Sequence, residues 1–239
     1  MVTRAILIED SQLGFIVVSP RRNAPKISAT VRGGELHLTV PYGCPRQRID
    51  EAIEAMRPGL EKMLDRNKPE FAVGQCLHVD GTDIVIELCH DPRMRHGSAG
   101  RIAGRDKYIV YVNCDDPSDL SPINRCIIQS LVAIGKHAFS RVVLPEAKAE
   151  AARLGLSAVF KPGHGHRRLG VCTSDGIIRL STNMVYYPAE LRRLVICHEL
   201  AHLTHMDHSK AFHALLDIYV GGREAELNRA LHAFRPPTS

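Results

Sequence analysis

The stretch from Arg192 to Ser209, R-R-L-V-I-C-H-E-L-A-H-L-T-H-M-D-H-S, constrains this chain more than any other. It holds the pattern H-E-x-x-H at His198, Glu199 and His202. Residues four apart on an α-helix share a face one turn apart, so His198 and His202 can each aim an imidazole nitrogen at a single cation. Glu199 then projects beside them, where it can take a proton from a metal-bound water. Leu194, Val195, Ile196, Cys197, Leu200, Ala201 and Leu203 make this helix apolar on nearly every side, which predicts that it is buried. Imidazoles and a carboxylate left unpaired there would cost roughly 2–7 kcal/mol per group, and a bound cation removes that cost.

A third ligand is needed, and geometry ranks the candidates. Ligands at 198, 202 and 205 of one straight helix would span seven rises of about 1.5 Å, roughly 10 Å, too far for nitrogens about 2 Å from one ion. His208 serves only if the chain turns after Thr204, with Asp207 or Ser209 capping a new helix. The spacing from His198 to His208 equals that of the metzincin pattern H-E-x-x-H-x-x-G-x-x-H, but His205 stands where that pattern has its turn-making Gly. The alternative is a carboxylate from the last helix, Glu224 or Glu226, giving two His and one Glu on zinc. His205 and His213 read as outer or surface residues.

The segment H-E-L-A-H-L-T-H-M-D-H-S-K-A-F, from His198 to Phe212, resembles the signature of the YgjP-like metallopeptidases, relatives of the SprT-like and WLM-type proteases. That signature runs H-E-L-A-H-L, three variable residues, N-H-S and a nearby Phe-Trp. Upstream, Arg168-Leu169-Gly170-Val171-Cys172-Thr173 is similar to the family's R-W-G-S-C-S segment, and Asp175 to Leu180 to the strand after it. The chain departs at Leu169, Val171, Asp207 and His213, where the family has Trp, Ser, Asn and an aromatic. The resemblance implies an α+β, zincin-like fold and a zinc-dependent peptidase with one Zn²⁺ per chain. It implies His198, His202 and His208 as ligands and Glu199 as general base. It also implies that Ile177, Ile178, Arg179 and Leu180 pair with an extended peptide or protein substrate.

The rest of the chain reads as support for that site. Phe15–Ser19, Ile27–Val31 and Leu36–Pro41 are β-prone runs, the last two joined as a hairpin across Arg32-Gly33-Gly34-Glu35. Arg48–Asp65 is helical by its apolar spacing, with Pro58 expected to kink or split it. Strands over Cys76–Val79, Asp83–Cys89 and Tyr108–Asn113 complete a small antiparallel sheet. The run from Asp115 to Pro122 is rich in turn residues and marks a boundary, so the expected division is a β-rich half, 1–115, and a helical peptidase half, 116–239, or one continuous domain. Helices follow from Ile123, after Pro145, from Pro188, from Ser209 and from Arg223, with a hairpin between Leu169 and Thr182.

Net charge is +5, and Arg93, Arg95, Arg101, Arg105 and Lys107 concentrate between Asp91 and Lys107 in a stretch without strand or helix pattern. That stretch reads as a solvated loop, with nucleic acid as a weaker alternative partner for a DNA-associated protease or a zinc-stabilised binding module. His164 and His166 read as surface residues of a Gly-containing loop. Seven cysteines without C-x-x-C, and no apolar run near 18 residues, predict reduced thiols, no membrane span and a cytoplasmic location.

Overall fold

The computed structural model describes residues 2–32, 35–66, 70–163 and 168–238. It divides into two compact units, Met1–Phe71 and Ala72–Thr238. The first unit has strands β1 (Ile6–Asp10), β2 (Gly14–Arg21), β3 (Ser28–Arg32) and β4 (Glu35–Pro41), followed by helix α1 (Arg46–Arg66). The strand order is β1-β2-β4-β3, with β2 and β4 parallel. Alternate residues point to one face, so Ile16, Val18, Leu36, Leu38 and Val40 are fully buried, and α1 sets Ile49, Ile53 and Leu60 against them. Pro58 lies inside α1 without dividing it. The expected β3–β4 pairing is present, while Gly33 and Gly34 of its turn lie outside the described residues.

In the second unit the same arrangement recurs. Strands β5 (Cys76–His78), β6 (Val85–His90), β7 (Gly97–Ile102) and β8 (Lys107–Asn113) are ordered β5-β6-β8-β7, again with the two central strands parallel. The expectation of one small antiparallel sheet is therefore corrected to two mixed four-stranded sheets. The segment Asp91–Lys107, expected as a loop, contains edge strand β7. Its sequence G-S-A-G-R-I hides the strand because small residues are required where helix α2 (Asn124–Ala138) packs. Ser98 Oγ lies 2.9 Å from Ser130 Oγ, and a Cβ on Gly100 would stand 3.3 Å from Ile134 Cδ1. The turn-rich run Asp115–Pro122 falls inside the second unit, so β5–β8 belong with the helices that follow them.

After α2 come α3 (Val143–Arg153) and a three-stranded sheet of β9 (Val159–Gly163), β10 (Gly170–Cys172) and β11 (Ile177–Ser181). A 3₁₀ turn (Thr182–Tyr186) leads into α4 (Ala189–Ala201), then α5 (Lys210–Tyr219) and α6 (Glu224–Ala233). Helix α4 is the centre of this unit. Leu191, Leu194, Cys197 and Ala201 join Tyr187, Phe212, Leu216, Val220 and Leu227 in one cluster, with Leu169 packed against it. No single helix among the described residues is long and apolar enough to cross a membrane.

The N-terminal end of α4 is anchored by side chains from distant elements. Pro188 at its N-cap has no capping side chain, and Asp80 supplies one from the β5–β6 turn, its Oδ2 accepting the Ala189 N–H at 2.7 Å. Arg192, with no exposed surface, donates through Nε and Nη2 to Glu146 of α3, through Nη1 to the Tyr187 carbonyl and through Nη2 to the Asp80 carbonyl. Glu146 is half-buried, but removing it would leave the buried Arg192 guanidinium without its carboxylate. Glu146→Ala should therefore cost about 3–5 kcal/mol, against about 1 kcal/mol for loss of the Asp80 cap in Asp80→Ala. Urea unfolding of both variants checks this, and equal midpoints would contradict it.

Candidate metal centre

The end of α4 and the start of α5 place three imidazoles together. Ala201 closes α4 and His202 is its C-cap, still helical at φ −65° and ψ −19°, so the one-turn relation to His198 survives. The chain then reverses. Ser209 caps α5 by accepting the Phe212 N–H at 3.4 Å, which is the turn and cap that a His208 ligand requires. His208 comes back over α4 with its Nε2 3.2 Å from Nε2 of His198. One ring nitrogen each from His198, His202 and His208 lies within 4.8 Å of the others, the one such group of His, Cys, Asp or Glu among the described residues.

The ring tautomer of His202 is fixed by its neighbour. Its Nδ1 donates to the His205 carbonyl at 2.9 Å, leaving Nε2 with a lone pair. His205 thus enters the site through its main chain. Glu224 and Glu226, the alternative third ligands, are engaged elsewhere: Glu224 Oε1 lies 2.6 Å from His213 Nδ1, and Glu226 accepts from Arg223. Two nitrogens on a tetrahedral zinc at about 2.0–2.1 Å are ~3.3 Å apart, so the His198–His208 separation of 3.2 Å fits such an ion.

Phe212 is the floor of this group. Fully buried, its ring centroid lies 4.9 Å from that of His198, 4.6 Å from His202 and 4.9 Å from His208. Sequence pattern marked it only as part of a signature, because a Phe three residues into a helix carries no sign of what it supports. Removing the ring from a fully buried site costs about 3–5 kcal/mol, and the three imidazoles would lose their common wall. Phe212→Ala should lower the unfolding temperature and weaken any metal binding by the three imidazoles at least about tenfold, by calorimetry, while Phe212→Leu should retain most of both.

Glu199 is 5% exposed and lies against β10. Burial pushes its carboxyl up to about 7, and a backbone N–H from Cys172 pulls in the opposite direction. Burial lowers His198 to about 4, with the neighbouring His202, His208 and His213 adding to the effect. Cys172 is half-buried, and burial raises its thiol, with Glu199 a lesser cause.

Ile177–Leu180, the expected substrate strand, lies in β11, the central strand of its sheet. It pairs with β10 on one side and β9 on the other, so its main chain offers no free edge. The segment just before the expected Gly-containing loop forms β9, while His164, His166 and Arg167 lie outside the described residues. The free edge beside α4 is that of β10. Ser181 donates to the Leu169 carbonyl and Thr173 to the Ile177 carbonyl, so Leu169, Val171 and Thr173 face β11. The N–H and C=O groups of Gly170 and Cys172 therefore point away from it.

Neither curated proteins nor solved structures gave a match to this chain. The profile of the YgjP-like metallopeptidase domain does match, over residues 25–232. That span takes in β3, β4 and α1 of the first unit and, in the second, the four-stranded sheet, the β9–β11 sheet, α4 and the three-imidazole group. With most of its length matched, the chain belongs to the YgjP-like metallopeptidase family.

Proposed function

We propose that this protein is a zinc-dependent, zincin-like peptidase in which His198, His202 and His208 hold one Zn²⁺ and Glu199 is the general base. The convergence of three imidazole nitrogens within 4.8 Å carries this reading. Bound there, the ion would lower the pKa of a water toward about 7 and polarise a carbonyl. The chain's own groups do the rest. Glu199 takes the proton from the attacking water and returns it to the leaving amine. Phe212 and the His205 carbonyl hold the imidazoles in place. The outward main-chain groups of β10 other than the Cys172 N–H, rather than those of β11, line an extended peptide substrate, since β10 is the edge strand beside Glu199.

Recruitment to nucleic acid through basic surface finds less support. Arg93 is paired to Asp91 and Lys107 to Glu87, so two of the five clustered basic residues are locally neutralised.

Glu199→Gln should keep about one zinc per chain and lose peptide hydrolysis by at least about a hundredfold. His202→Ala and His208→Ala should each lose both. Elemental analysis together with a fluorogenic-peptide assay checks these outcomes, and undiminished turnover by Glu199→Gln would sink the mechanism. Apparent zinc affinity should fall as pH drops, because the imidazoles must be unprotonated to bind.

A further inference from the structure

We infer that Gly170 of β10 is a positioning residue for Glu199: the side chain it lacks is the space in which the stem of the Glu199 carboxylate lies. The inference rests on the reading of Glu199 as base. A Cβ at Gly170 would stand 2.5 Å from Glu199 Cγ and 2.6 Å from Cδ, and would also press on Oε1. Because Cγ is involved, rotating the carboxylate alone relieves nothing, and the side chain would need a different rotamer from its first bonds outward. Such a rotamer would have to be found among buried neighbours. Glu199 is 5% exposed, and Val195, Ile196, Leu200 and Ala201 around it on α4 are buried.

The need at this position is for room rather than for backbone freedom. Gly170 is absent from the glycines with positive φ, so any residue could adopt its backbone conformation. The same edge supplies a donor. Gly170 and Cys172 are two residues apart on one strand, and both turn their main-chain groups away from β11. Space at Gly170 lets the carboxylate reach the Cys172 N–H, which favours its charged form against burial. Strand β10 thereby sets both where the base stands and how closely α4 approaches the sheet.

Thermal unfolding of the metal-free protein tests this without reference to turnover. The comparison is between the native chain, Gly170→Ala, Glu199→Ala and the double variant. Gly170→Ala should lower Tm by at least about 5 °C in the native background, as overpacking does. In the Glu199→Ala background the same change should cost little, because the added methyl then meets an emptied space. An equal loss in both backgrounds would overturn the inference. Should Gly170→Ala fail to fold, the double variant decides: a folded double variant supports the inference, and an unfolded one overturns it. With zinc present, Gly170→Ala should keep its metal while kcat falls about a hundredfold. Full turnover by Glu199→Gln would remove the base reading and leave the stability coupling standing, so the two failures are distinguishable.

Discussion

Helix α4 is buried on nearly every side while carrying Arg192, His198, Glu199 and His202, and each of these polar groups must be met by another element. An uncompensated charge in such a place costs several kcal/mol, comparable to a large part of a domain's stability. The elements of the second unit are arranged around that requirement. At one end, α3 brings Glu146 and the β5–β6 turn brings Asp80 to Arg192 and to the helix N-terminus. At the other, the reversal into α5 brings His208 and Phe212 to the imidazoles, while β10 brings an N–H to Glu199. The four-stranded sheet and the helical segment are tied together by one helix whose polar groups neither could satisfy alone.

Close approach is the second condition, and small residues meet it. Helix α2 comes down on β7 where Gly100 and Ser98 stand, and α4 comes against β10 where Gly170 stands. A glycine inside a strand weakens that strand, by roughly 0.5–1 kcal/mol relative to alanine. At Gly170 the return is a carboxylate seated against a backbone donor. At Gly100 it is contact with Ile134, which extends the buried face formed by Tyr108, Val110 and Val112.

These conditions account for what the residue pattern revealed and what it hid. The i, i+4 spacing of His198 and His202 showed the helix face at once, because helical geometry is local. The turn after Thr204 and the cap at Ser209 were also legible, since capping is a matter of a few neighbouring residues. Helices α2 to α6 followed from apolar spacing and from Pro and Gly near their ends. Strand β7 was hidden because G-S-A-G-R-I answers to the packing of α2 and not to strand propensity. The parallel pairings β2–β4, β6–β8 and β9–β11 were hidden because hairpin signals report only sequential neighbours, which is also why β11 was taken for an edge. Arg192 gave no sign of its distant partners, Glu146 and Asp80, which lie 46 and 112 residues away in the chain.

The same burial moves His198 and Glu199 in opposite directions, and without a cation the two effects oppose each other. The imidazole is lowered from 6.5 to about 4, so the native state holds fewer protons there than the unfolded chain, and stability is lost as pH falls through that window. The carboxyl is raised from 4.5 to about 7, so the native state holds more protons there, and stability is lost as pH rises through that window. Between about 4.5 and 6.5 the slopes have opposite signs, and both groups are predominantly uncharged in the folded protein. In the roles proposed for them, a neutral His198 is already in the form that binds a metal, whereas a protonated Glu199 is not yet a base. A positive charge beside Glu199 favours its ionised form and offsets the cost of burying it. Under the proposed function, filling the imidazole site and making the carboxylate basic would be one electrostatic event.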